Sequence, residues 1–128
     1  MDEFTITIPR KREFGTVAGL VVGGVAARHE LTLDVLDDLQ LALDALLDRV
    51  GTDGADVTIV LKLDVGSIGM SVGPLPADVT TALDGDAGSG IDLKRVLGAV
   101  VDEVGVAARD GGSWVELRKS YALAGSGT

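Results

Sequence analysis

Between Thr32 and Gly51 the apolar residues Val35, Leu36, Leu39, Ala42, Leu43, Leu46, Leu47 and Val50 recur at steps of three and four. That is the 3.6-residue period of one helix face, and the stripe is wide enough that it must be buried. Thr32 stands where an N-cap belongs, Asp34 falls in the first turn and Gly51 at the C′ position. After Asp53-Gly54 the period changes to two: Val57, Ile59, Leu61 and Leu63 alternate with Thr58, Val60, Lys62 and Asp64. A tight turn at Gly66-Ser67 leads to Ile68, Met70 and Val72, so residues 56–73 read as a β-hairpin that Gly73-Pro74-Leu75-Pro76 ends. A helix with one broad apolar face beside strands with one apolar face predicts helix packed on sheet.

The remaining segments fit that scheme. Phe4, Ile6 and Ile8 alternate with Thr5, Thr7 and Pro9 as a half-buried strand. From Arg12 to about His29, Val17, Leu20, Val21, Gly24 and Val25 mark a helix whose Gly19, Gly23 and Gly24 suit close packing on the sheet or a dimer seam. Residues 78–90 are rich in Asp, Gly, Thr and Ser and read as a loop with one helical turn around Val79 to Leu83. Ile91, Val96, Leu97, Val100 and Val101 predict a third helix ending near Glu103, and Val104–Ala108 with Trp114–Leu117 a last hairpin across Asp110-Gly111-Gly112. The expected fold is an α+β two-layer sandwich, its sheet mixed but mostly antiparallel, with about three helices on one face. Residues 1–121 form one domain and 122–128 a flexible tail.

Composition narrows the chemistry. A hydrophobic fraction of 46% excludes a disordered chain, and 20 acidic against 11 basic residues give a net charge of -9, which argues against general attraction to nucleic acid. The absence of cysteine removes thiolate chemistry and zinc-cysteine sites, and His29 is the one histidine. The apolar run Gly15–Ala27 after Arg10-Lys11-Arg12 imitates a signal peptide, but the strand-like Phe4–Pro9 before it does not suit one, and the run is short of the roughly 20 residues of a membrane span. A cytoplasmic protein with no membrane partner is expected.

The order of elements, with the opening FTITIP, the helical LQLALDALLDRV at Leu39–Val50, the hairpin and the closing GSGIDLKRVLGAVVDEVGVAARDGGSWVELRK, resembles the histidine-kinase-like ATPase (GHKL) domain in its short anti-sigma-factor serine-kinase form. The resemblance spans Phe4 to about Tyr121, and Val101-Asp102-Glu103-Val104 before a glycine-rich turn is its most family-like piece. Active members carry a glutamate and, four residues later, an asparagine on the second helix: the carboxylate activates a hydroxyl and the amide oxygen holds Mg²⁺. Those positions correspond to Ala45 and Arg49, so both groups are missing. Asp44 and Asp48 keep the spacing but stand one position away, about 100° around the helix. The family's adenine-reading aspartate turn falls at Val72–Pro76, which has no aspartate and two prolines. Its phosphate-lid glycines correspond to Gly88-Ser89-Gly90.

The resemblance therefore implies a non-catalytic regulatory module, without catalytic residues or a metal site, that contacts a sigma factor or a STAS-type antagonist and homodimerises. If ATP and Mg²⁺ bind at all, Arg49, Gly88 and Gly90 are the residues that would meet the nucleotide, and the alternative is a divergent serine kinase or a nucleotide-controlled switch. Arg49 otherwise reads as an ion-pair partner of Asp48, Asp44 or Glu103. The acids Asp34, Asp37, Asp38, Asp44 and Asp48 read as a solvated helix face or a metal-binding ladder, His29 as a helix C-terminal dipole partner, Arg10-Lys11-Arg12 as solvated charge or a dock for an acidic partner, and Trp114 and Tyr121 as packing residues.

Overall fold

A computed structural model of the chain describes residues 2–9, 12–28, 31–50, 56–75, 90–109 and 112–121. Their order is β1 (Asp2–Ile8), α1 (Arg12–Arg28), α2 (Leu33–Val50), β2 (Val57–Asp64), β3 (Ser67–Leu75), α3 (Gly90–Val100), β4 (Glu103–Arg109) and β5 (Gly112–Ser120). The strands form one sheet in the order β1-β2-β3-β5-β4. Every pairing among the described residues is antiparallel, a stricter arrangement than the mostly antiparallel mix expected. β5 lies between β3 and β4, so the crossover through α3 joins two strands that run the same way without being neighbours.

The α+β two-layer sandwich follows from side-chain parity. In β2 the odd-numbered Val57, Ile59, Leu61 and Leu63 are buried, and their neighbours across the ladder, Ile68, Met70 and Val72 of β3, then Val115 and Leu117 of β5, share that face. Ala18, Val22 and Val25 of α1, Val35, Leu39, Ala42, Leu43 and Leu46 of α2 and Leu97 of α3 join them in one apolar cluster. All three described helices thus cover a single face of the sheet.

The helix starts and pairings have local causes. Thr32 caps α2, its Oγ1 accepting from the Val35 amide at 3.3 Å. α1 and α2 touch along one side: an added Cβ at Gly15 would stand 3.7 Å from Leu47 Cδ1 and one at Gly23 3.7 Å from Gln40 Nε2, and Gln40 Nε2 donates to the Gly19 carbonyl at 3.1 Å. An added Cβ at Gly19 or Gly24 would meet nothing within 4 Å, so neither of these glycines is required by packing within the chain. Lys119 on β5 reaches Asp38 of α2 at 2.7 Å and ties the end of the sheet to the helix layer.

Three expectations are corrected. The β2-β3 turn is centred on Val65-Gly66, with Gly66 at φ 78°, the left-handed region that favours glycine. β3 continues through Pro74 to Leu75, because the register with β5 slips between Val72 and Leu75 and the missing proline N–H falls where the ladder is already broken. The third helix ends at Val100, three residues early. Val101 N still donates to Leu97 O, but Asp102 N turns to the Arg118 carbonyl at 2.8 Å and Asp102 Oδ2 accepts from Ser120 N at 2.6 Å. β5 claims the backbone that helix periodicity alone would have continued. The expectations for Arg10-Lys11, His29, Gly51, Asp53-Gly54, the loop at 78–89, Asp110-Gly111 and the tail at 122–128 lie outside the described residues.

Two glycines on the same side of β3 differ in what a side chain would meet. A Cβ at Gly73 would lie 2.6 Å from Trp114 Cγ and 2.8 Å from Cε2, whereas at Gly69 the nearest atom is the Leu117 carbonyl oxygen at 3.8 Å. Gly73→Ala is expected to lower stability by about 1–3 kcal/mol through overpacking on the indole. Gly69→Ala is expected to leave it nearly unchanged, and urea unfolding of the two variants reads the difference.

Candidate functional site

The residues that the family resemblance singles out lie on the helix side of the sheet. Ala45 sits in the third quarter of α2, half-buried and packed against the apolar cluster. Arg49 is in the last turn of the same helix, its side chain outside what the structure describes, and Gly90 is the first residue of α3. Gly88 lies outside the described residues. α2 packs beside α3, so the two elements expected to frame a nucleotide are neighbours. The position at which a general base is expected therefore presents a methyl group to the core side of α2.

The nearby carboxylates point elsewhere. Asp44 and Asp48 are exposed, together with Asp34, Asp37 and Leu41, on the outward face of α2. Asp38 has left that ladder for Lys119. Among the described residues no group of three or more histidine, cysteine, aspartate or glutamate side chains is placed to hold a metal ion. Glu103, weighed as a partner for Arg49, stands across from Arg118 on the far face of the sheet, with the whole sheet between it and α2.

That far face holds a feature the sequence reading did not single out. On the side away from the described helices β3 presents Ser67, Gly69, Ser71 and Gly73, so the strand in the middle of the sheet carries nothing larger than a serine hydroxymethyl there. The result is a valley along β3. The buried Trp114 of β5 lies across Gly73 and fills one end of it. From Ser71 to Ser67 it forms an indentation of about 640 Å³, in which both serines are themselves buried. Lys62 and Asp64 of β2 form one wall, Glu116 and Arg118 of β5 the other, and beyond them Gly105 and Glu103 of β4 extend the floor. The Tyr121 hydroxyl donates to the Asp64 carbonyl at 3.1 Å and Tyr121 N to the Gly66 carbonyl at 2.9 Å, which pins the end of β5 over the β2-β3 turn beside it.

The valley was legible as a period-two pattern of small residues opposite Ile68, Met70 and Val72. Its meaning depended on which face the helices cover. No protein-family model matches the chain, and no curated protein shows significant similarity to it.

On α2 the Asp44 carboxyl titrates above the ordinary aspartate value, first because neighbouring protein partly desolvates it and second because Asp48 lies one turn away. A raised carboxylate pKa means that the folded chain holds the proton more tightly than the unfolded chain. That contribution favours folding below the unfolded value and is lost as pH rises through the window up to the raised folded value. Asp48→Asn removes the second cause. The variant is expected to titrate Asp44 at lower pH by NMR and, in urea unfolding at neutral pH, to be at least as stable as the parent.

Proposed function

We propose that this chain is a non-catalytic regulatory binding module of the anti-sigma-factor type, built on a degenerate histidine-kinase-like ATPase scaffold and acting by protein-protein contact in transcriptional regulation. The observation that carries the reading is Ala45: the position where the resemblance requires a proton acceptor is a methyl group packed toward the core, while Asp44 and Asp48 face solvent on another side of the helix. A carboxylate on that outward face has no route to a hydroxyl bound between α2 and α3. The reading takes a sigma factor or a STAS-type antagonist as partner, includes homodimerisation, and places the protein in the cytoplasm without a catalytic, metal or nucleic-acid role. Among the described residues no helix is long and apolar enough to cross a membrane. A net charge of -9 supports masking a basic, DNA-contacting surface, since complementary charge speeds encounter and selects the partner.

Calorimetry with ATP and Mg²⁺, beside a thermal-unfolding scan, tests this. The expected result is no heat and no shift at millimolar nucleotide. A ligand at 100 times its Kd would stabilise the fold by about 2.7 kcal/mol, well within reach of the scan. Binding without phosphate transfer would replace the reading with a nucleotide-controlled switch, in which Arg49, Gly88 and Gly90 take the nucleotide. Magnesium-dependent transfer of phosphate to a partner serine would make the chain a divergent kinase.

A further inference from the structure

We infer that β4, the outer strand of the sheet, pairs antiparallel with β4 of a second copy of the chain, in the register that sets Glu103 opposite Arg109 and Val106 opposite itself. Homodimerisation is part of the reading proposed above; the inference rests on that reading for the kind of partner and adds the surface and the register.

The edge carries none of the usual protection. Every second residue of an edge strand points its N–H and C=O away from the sheet, and that row of unpaired groups is a template for another chain. Proteins commonly blunt it with a charged side chain, a proline or a bulge. Between its ends β4 reads Val104-Gly105-Val106-Ala107-Ala108, which has no charge and no proline, and its ladder with β5 runs from Glu103 to Arg109 without a register shift. Val104, Gly105 and Ala108 are exposed, Val106 and Ala107 are half-buried, and among the described residues no strand lies beyond β4. The opposite edge differs. β1 opens on Asp2-Glu3 and carries no base, so pairing it with itself sets no opposite charges together.

Charge selects a second copy as the occupant. The only charged residues of β4 are an acid at its first position and a base at its last. Pairing the strand with itself about Val106 therefore brings Glu103 to Arg109 twice by two-fold symmetry, with Val104 against Ala108 and Gly105 against Ala107. Opposite charges directly across a strand pair favour it, and like charges oppose it. Within the chain the position across from Arg109 is Gly112, which has no side chain, whereas the position across from Glu103 is Arg118. The second copy supplies an acid where the chain itself supplies a hydrogen atom. Sidedness agrees as well. Val104 and Val106 stand across from Leu117 and Val115, on the side that the described helices cover, and the register sets even-numbered residues against even-numbered ones. Two five-stranded sheets thus join into one of ten strands with both helix layers on the same side. In a chain of net charge -9 the contact is a neutral strip held mainly by backbone hydrogen bonds, so the dimer is weak and concentration-dependent.

Analytical sedimentation of the full chain is expected to show a monomer-dimer equilibrium. Arg109→Glu, which sets acid against acid at both ends, is expected to weaken it about tenfold, and Arg109→Gln by less. Val104→Lys, a charge placed on the exposed edge, is expected to abolish it. Circular dichroism and thermal unfolding check that each variant is folded. The register has its own test, because the chain holds no cysteine and a single introduced thiol reports its neighbours. Val106→Cys sets two thiols across the symmetry axis with Cβ atoms about 4.5–5.5 Å apart, and mild oxidation is expected to link the copies. Val104→Cys separates them by about 13 Å along the strand and is expected to stay unlinked. A parent chain that remains monomeric at millimolar concentration overturns the inference, as do a dimer that Val104→Lys or Arg109→Glu leaves intact and equal linking through positions 104 and 106. A dimer that Leu20→Glu abolishes and Val104→Lys does not would lie on α1, where Leu20 is 71% exposed, and also overturn it. A monomer removes only homodimerisation from the proposed function, whereas ATP binding or phosphate transfer overturns that function and leaves the β4 result standing.

Discussion

The structure depends on one aliphatic layer, in which Leu39, Leu43 and Leu46 of α2 lie in the same cluster as Ile59, Leu61 and Met70 of the two neighbouring strands. All six are at most 1% exposed. Burying side chains of this size favours folding by roughly 1.5–3 kcal/mol each, far more than a surface ion pair contributes. With an aromatic fraction of 3%, the chain has few rings to fill gaps, so branched aliphatics do that work. Lys119 and Asp38 then fasten the margin of the layer that the apolar residues have already set.

All three described helices lie on one face of the sheet, so the two faces present different side chains. On the helix side, the outward surface of α2 is a row of carboxylates in which partial desolvation first and Asp48 second raise the Asp44 pKa, and the inward surface at Ala45 is apolar. Neither supplies the paired acid and amide of a phosphate-transferring site. On the other side, β3 carries Ser67, Gly69, Ser71 and Gly73 behind its buried Ile68, Met70 and Val72, and Trp114 closes one end of the groove that results.

Much of the fold was legible because its signals are local. The cap at Thr32, the stripe from Val35 to Leu47 and the alternation from Val57 to Val72 each report a period that the backbone must satisfy wherever the segment lies. The misread positions are those where a distant strand competes. Val101 looked like a continuing helix because its apolar spacing is right, yet Asp102 is drawn away by Arg118 and Ser120. Pro74 looked like an end to β3, and the slipped register with β5 accommodates it. The candidate site was less legible still. Ala45 and Arg49 could be placed on a helix from spacing alone, but that Glu103 lies behind the sheet from them follows only from the pairing of β4 with β5.

The sequence by itself determined most of the elements, their amphipathic faces and the placing of Ala45 and Arg49 on the second helix, because periodicity and side-chain chemistry are properties of single segments. Tertiary structure decided which face of the sheet the described helices cover, where the third helix stops, and that Ser67, Gly69 and Ser71 line an indentation between charged side chains. Those outcomes depend on contacts between residues far apart in the chain, where the register of one strand against another sets the neighbours of every side chain at once.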